Sequence, residues 1–243
     1  MSEATLLPAG LEYPGRLIIL GTAPDGRPVV VYSITGRSPS SQARALVFRD
    51  RGVWVEPTDE ETLKKGNVEL LVYPAVLFAG RGVAVSNGRQ TTDVAAGLAS
   101  SADPVVILAG ALVKWDYEPD APIFTPRISG CLAGGRAGLS LVRRGPGGAT
   151  LRSYFEVPVR PGAGRLVSTY EGPNREPLPG FAGEPREVAL VGKTALAIAD
   201  SVYEALAPGA GGRDFRVAVA CALVDPAKPA EFDLRIINRH ERT

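Results

Sequence analysis

The sequence predicts an α+β fold, read as one domain over residues 1–243. Three observations lead there. Segments with strand character come in groups and so do segments with helical periodicity: several strands, two helices, several strands, a helix and two strands. That grouping argues against the regular alternation of a parallel α/β sheet. The links between successive strands are short and local, which favours antiparallel pairing. No linker-like stretch is long enough to separate a pair of domains, no repeat with a period of roughly 20–50 residues is visible, and 243 residues are ample for one large core.

The elements follow in order. RLIILG (16–21) and RPVVVYSIT (27–35) flank the turn Ala23-Pro24-Asp25-Gly26 and read as a hairpin. ALVFR (45–49) and GVWVEP (52–57) form a second pair around Asp50 to Gly52. VELLVYPAVLFAG (68–80) and GVAVSNG (82–88) supply two more strands, with a turn at Asn87-Gly88. Thr91, Thr92 and Asp93 are expected to cap a short helix over TTDVAAGLAS (91–100). Asp103-Pro104 opens a second helix, with proline in its first turn, that should run to Glu118, where Pro119 disfavours helical geometry in the residue before it. Strands resume at RISGCLA (127–133), AGLSLVRR (137–144), TLRSYFEVPV (150–159) and RLVSTYEG (165–172). A Pro/Gly-rich loop over 172–185 leads to a long helix over 186–207, and strands at 214–225 and 231–237 complete the order.

Composition and motifs exclude several functions. The 27 basic and 26 acidic side chains leave a net charge of +1, which argues against broad attraction to nucleic acid or an anionic membrane. Cys131 and Cys221 stand far apart in apolar surroundings, so a disulfide framework or a zinc site is not expected. No apolar run has the length of a membrane span, and the N-terminus lacks a basic start and a long apolar stretch, so a cytoplasmic location is expected. His240 is the only histidine and sits near the end of the chain, which leaves a Ser-His-Asp or Cys-His triad without its base. Gly192-Lys193-Thr194 ends like a phosphate-binding loop, but the full motif needs glycine where Glu187 stands, and the stretch reads as helix interior. No G-x-G-x-x-G follows a strand.

Three polar stretches remain. GRSPSSQAR (36–44) gathers Arg37, Ser38, Ser40, Ser41, Gln42 and Arg44 after a strand, a donor-rich loop suited to a phosphate. VSNGRQTTD (85–93) sets a tight turn before a helix start, where backbone N–H groups can face an anion. WDYEPDAPIFTPRI (115–128) places Glu118 at the expected helix end, where the helix dipole disfavours a carboxylate and partial burial would raise its pKa. Each has a bland reading as a surface turn, a capped helix or an acidic loop.

Together these stretches resemble the archaeal-type inosine monophosphate (IMP) cyclohydrolase family. The matching pieces are YPGR (13–16), GRSPSSQAR, VAVSNGRQTTDVA (83–95), WDYEPDAPIFTPRI and STYEG (168–172), in the family's order. Beyond residue 172 the similarity is general only. The resemblance implies a four-layer αββα sandwich like that of the N-terminal nucleophile hydrolases, with a pocket between the sheets. The usual nucleophile of that fold has no counterpart here, since Ser2 precedes an irregular segment.

The resemblance also implies a reaction: dehydrating ring closure of 5-formamidoimidazole-4-carboxamide ribonucleotide to IMP, a step of purine biosynthesis, with no cofactor and no metal. Both reacting groups sit on one substrate, and well-oriented intramolecular reactions reach effective molarities on the order of 10⁵–10⁸ M. On this reading Glu118 moves the proton of the carboxamide nitrogen and Arg44 polarises the formyl oxygen, while Tyr73 donates a hydrogen bond. Arg37 anchors the 5′-phosphate with Ser38, the two arginines being interchangeable in these roles. Asn87 and Gly88 shape the pocket, Thr91, Thr92 and Asp93 touch ribose or phosphate, and Arg127 holds Glu118 or Asp116 in place. The partner is a small purine ribonucleotide, with no nucleic acid and no membrane, and a homo-oligomer is left open. Three other readings stand beside it: a cyclohydrolase or amidohydrolase for a related ribonucleotide, a purine-nucleotide-binding module without catalysis, and a self-processing hydrolase.

Overall fold

A computed structural model of the protein describes residues 6–7, 10–59, 61, 72–209 and 211–242. The chain runs β1 (Arg16–Thr22), β2 (Pro28–Thr35), α1 (Pro39–Gln42), β3 (Arg44–Arg49), β4 (Gly52–Pro57), β5 (Tyr73–Ala79) and β6 (Gly82–Ser86). It continues through α2 (Thr91–Gly97), α3 (Pro104–Leu112), β7 (Arg127–Ala133), β8 (Arg136–Arg144), β9 (Thr150–Val157) and β10 (Ala163–Ser168). The last elements are β11 (Arg186–Ala189), α4 (Ala195–Ala205), β12 (Arg216–Val224) and β13 (Phe232–Asn238). Residues 68–71 of the expected strand lie outside the described residues, as does Ser2.

The strands form a six-stranded sheet, ordered β11-β10-β1-β2-β12-β13, and a seven-stranded sheet, ordered β3-β4-β5-β6-β7-β8-β9. Neighbouring strands pair antiparallel, as in Leu17↔Ser33 and Val85↔Gly130. Side-chain alternation explains the layering. Ile18 and Leu20 of β1, Tyr32 of β2 and Ala220 of β12 enter one core with Val83, Val85, Ile128 and Leu139 of the other sheet. The intervening Leu17, Ile19, Val31 and Cys221 turn the other way and pack with Ile198, Ala199 and Val202 of α4. Ala84, Cys131 and Val142 do the same beneath Val94 of α2 and Leu108 and Leu112 of α3. Strands covered on both faces read as unbroken apolar runs, and each fully buried Leu, Ile or Val contributes about 1.5–3 kcal/mol.

Three sequence expectations need correction. The stretch 186–207 is not one helix. Arg186–Ala189 is β11, paired with β10 from Ala163↔Ala189 to Leu166↔Arg186. Val188 and Leu190 are buried at strand spacing. Gly192 then takes φ +116, which no helix interior holds, and the Thr194 hydroxyl caps α4 by accepting from Ala197 N at 3.1 Å. Gly192-Lys193-Thr194 therefore does lie between a strand and a helix, but the Asp233 carboxylate already faces that helix end, accepting from Ala195 N at 3.3 Å.

Helix α3 stops at Leu112, not at Glu118. Arg152 of β9 donates to Leu112 O at 3.1 Å and to Trp115 O at 2.7 Å, so a tertiary contact rather than Pro119 ends the helix. Helix α2 has Gln90 at its N-cap position with no side-chain capping bond. Asn87-Gly88 turns the chain into that helix, as the sequence suggests, and β6 continues to β7 through α2 and α3.

Edge strand β3 is tied down by one side chain. The buried Asn238 amide accepts from Leu46 N at 2.8 Å and donates to Leu46 O at 3.0 Å, as a paired strand would. Asn238→Ala leaves both buried backbone groups of Leu46 without partners and is expected to cost on the order of 2–4 kcal/mol. An unfolding midpoint equal to wild type in a urea titration would contradict this role.

Candidate active site

Both sheets contribute to a cleft of about 1020 Å³, its open mouth included. A smaller cavity of about 650 Å³ is lined largely by glycine, proline and aliphatic residues, among them Gly21, Leu132 and Val224. The larger cleft holds the reactive side chains. Arg16, Arg44, Arg89 and Arg127 line it against only Glu118 and Asp120, a local positive excess in a nearly neutral chain that suits an anionic ligand.

The two inner arginines are held differently. Arg16, at the start of β1, donates from Nε to the Tyr73 hydroxyl at 3.1 Å and from Nη1 to Thr35 O at 3.3 Å. Burial opposes its charge, but the surrounding phenol oxygens of Tyr73, Tyr32 and Tyr13 outweigh it and push the pKa up. Arg44, at the start of β3, has Nε and Nη1 out of solvent and without a hydrogen-bond partner in the protein. Burial, reinforced by the charge of Arg16, pushes its pKa down to about 10, so it stays cationic at neutral pH. A buried guanidinium with unused donors is costly in itself, and such groups mark places where a ligand completes the bonding.

Glu118 follows the end of α3 in extended chain, with its backbone N–H bonded to Thr125 O at 2.9 Å. Asp120 binds the Thr125 backbone N–H at 2.7 Å and also its hydroxyl, which meets the Tyr170 hydroxyl at 2.7 Å. These bonds close the 118–125 loop and hold Glu118 at the cleft. Its carboxylate lies 3.4 Å from Arg127 Nη1. Burial raises its pKa, an effect that Arg127 opposes, that Asp120 adds to, and that Arg16 and Arg44 further oppose. Arg127 is fixed in turn: Nε donates to Asp116 O at 2.8 Å and the guanidinium lies over the Trp115 ring.

Of the residues expected from the sequence, Arg44, Tyr73, Glu118, Asn87, Gly88 and Arg127 line this cleft. Asn87 is held in place: its amide accepts from Gln90 Nε2 and Ile128 N, both at 2.9 Å, and donates to Pro126 O at 2.9 Å. A Cβ at Gly88 would come within 2.7 Å of Gln90 Oε1 and 3.2 Å of Arg127 Nη1. The other five stand outside the lining. Arg37 pairs with Glu176 at 2.6 Å and Ser38 caps α1. Thr91 donates to Gly88 O at 2.7 Å, and Thr92 is exposed. Asp93 accepts from Trp115 Nε1 at 2.7 Å and from Lys114 at 3.0 Å, so it braces a cleft wall from behind. Sequence reasoning missed Arg16, Trp115, Asp120, Thr125 and Tyr170, which also line this cleft. Arg16 and Tyr170 sit inside YPGR and STYEG, and those motifs are the signal that could have found them.

Among the described residues, no cluster of three or more His, Cys, Asp or Glu could hold a metal ion. Among the described residues, no helix is long and apolar enough to cross a membrane.

Comparison with known proteins places the chain in a family. A family model described as "IMP cyclohydrolase-like protein" matches residues 13–224, well past residue 172 where the recognisable motifs stop. The IMP cyclohydrolase of Methanopyrus kandleri is 31% identical over 160 residues, 65% of this chain and 75% of that protein. The IMP cyclohydrolase of Natronomonas pharaonis is 32% identical over 178 residues, 73% of this chain and 83% of that protein. With the motifs of the cleft in place and most of its length matched, the chain belongs to the archaeal-type IMP cyclohydrolase family.

Proposed function

We propose that the protein is an IMP cyclohydrolase that closes the pyrimidine ring of 5-formamidoimidazole-4-carboxamide ribonucleotide, with loss of water, in purine biosynthesis in the cytoplasm. The observation that carries this reading is the buried Arg44 guanidinium with unused donors in the same cleft as Glu118. On the same reading the two sheets and their outer helices are a four-layer αββα sandwich of the N-terminal nucleophile hydrolase type, one domain that works without the nucleophile.

The carboxamide nitrogen attacks the formyl carbon as Glu118 takes its proton. The charge that gathers on the former formyl oxygen is met by Arg44 and by the Tyr73 hydroxyl. Glu118 returns that proton to the oxygen, giving the neutral carbinolamine; its hydroxyl then leaves as water with the N–H proton of the former formamide nitrogen, relayed by Glu118, as the ring C=N bond forms. A positioned base contributes on the order of 10²–10⁴-fold, and removal of one fixed oxyanion donor costs about 10²–10³-fold. Arg37 remains our candidate for the 5′-phosphate. Its present partner, the exposed Glu176, is a weak competitor, because surface ion pairs are worth only about 0–1 kcal/mol.

A direct absorbance assay on the synthesised formamido substrate tests the proposal. The expected result is ring closure to IMP by the protein alone. Tight IMP binding without turnover would identify a binding module instead.

A further inference from the structure

Resting on that reading, we infer that Tyr32, a core residue outside the cleft lining, is a positioning residue that aims the Tyr73 proton at the substrate. Tyr32 is completely buried between the sheets, opposite Ile18 and Ala220 in its sheet. Its hydroxyl meets the Tyr73 hydroxyl at 2.9 Å, and Tyr73 also receives Arg16 Nε at 3.1 Å. Tyr73 itself lines the cleft.

The direction of the phenol–phenol bond follows from the cost of each alternative. If Tyr73 donated to Tyr32, the Tyr32 proton would have no acceptor, because its hydroxyl has no other hydrogen-bond partner among the described residues and the charges that act on it, Arg16 and Arg44, are donors only, at a cost of about 1–3 kcal/mol. If Tyr32 donates to Tyr73, every buried proton is placed and only an acceptor lone pair goes unused, which is the cheaper shortfall. Arg16 is a donor only, so it occupies Tyr73 from another side. The Tyr73 oxygen then receives two donated hydrogens, and its own proton has the cleft as its remaining direction. Burial keeps the Tyr32 phenol protonated, and therefore a donor, across the working pH range. The pair thus acts as an ordered donor chain, Tyr32 to Tyr73 to ligand oxygen. No rotation of the Tyr73 hydroxyl is needed when charge develops, which is the advantage of a pre-oriented donor.

The test is a kinetic cycle of wild type, Tyr32→Phe, Tyr73→Phe and the double variant, with IMP affinity measured for each. Tyr32→Phe is expected to lower kcat about fivefold, the loss of one hydrogen bond of ~1 kcal/mol, with KM and IMP affinity unchanged. Added to Tyr73→Phe, the same substitution is expected to have no further effect on kcat. An equal loss in both backgrounds, or wild-type kcat in Tyr32→Phe, overturns the inference. If Tyr32→Phe does not fold, 3-fluorotyrosine at position 32 replaces it, and a kcat equal to wild type in that protein overturns the inference equally. Wild type without ring closure overturns the functional reading and the inference together, a result plainly different from a flat Tyr32 series.

Discussion

Glu118→Gln is expected to abolish ring closure, by on the order of 10²–10⁴-fold in kcat, while IMP still binds. Gln keeps the shape of the carboxylate and an acceptor within reach of Arg127 Nη1, at 3.4 Å in the native protein, but it takes no proton. The pH profile supplies a sharper reading. Burial places the Glu118 pKa above its ordinary value of 4.5. The base form is the active one, so kcat/KM should fall as pH drops through that raised pKa, and the acid limb should lie above 4.5. In the variant the residual rate should lose that limb. The stability consequence has the opposite sense. A carboxyl whose folded pKa is raised binds its proton more tightly in the folded chain, so its contribution is fullest at low pH and declines as pH rises from the unfolded to the folded pKa. Gln imitates the protonated form, and Glu118→Gln should therefore unfold no earlier than wild type at neutral pH. Turnover equal to wild type, or an unchanged acid limb, would remove Glu118 from the proton-transfer role.

Local signals made much of the fold legible. The Pro-Asp-Gly turn and its flanking β-branched runs specify the β1–β2 hairpin, and Asp103-Pro104 specifies the start of α3, because both depend on backbone chemistry a few residues wide. The errors fall where distant contacts decide. Only the position of Arg152 in the neighbouring strand reveals why α3 ends at Leu112. Only the free edge of β10 turns Arg186–Ala189 into a strand, although the buried alternation of Val188 and Leu190 hinted at it. The site divides in the same way. The cleft positions of Arg44 and Glu118 were readable because GRSPSSQAR and WDYEPDAPIFTPRI match a family, and that of Tyr73 because it stands where the family has a pocket tyrosine. The roles of Asp93 and Asn87 as braces were not, since their partners Trp115, Pro126 and Ile128 come from a later stretch of chain. Polar residues at a site are as often there to hold the reactive groups as to touch the ligand, and a one-dimensional motif does not distinguish the two.

Arg44 carries the second large prediction, because its proposed catalytic role and its structural cost arise from one property. Nε and Nη1 are buried with no protein acceptor, which costs about 1–3 kcal/mol for unmet polar groups. Arg44→Met retains the reach and much of the packing of the side chain and removes that cost. The variant is expected to unfold later than wild type, by about 2–10 °C for a chain of this size, while kcat falls about 10²–10³-fold for want of the oxyanion donor. Glu118 adds an independent check. The Arg44 charge is one of the influences that hold the Glu118 pKa down against burial, so its removal should move the acid limb of the residual activity to higher pH. A guanidinium retained only for structure would give the reverse pattern: an earlier unfolding transition, with turnover and the acid limb unmoved in the fraction that stays folded.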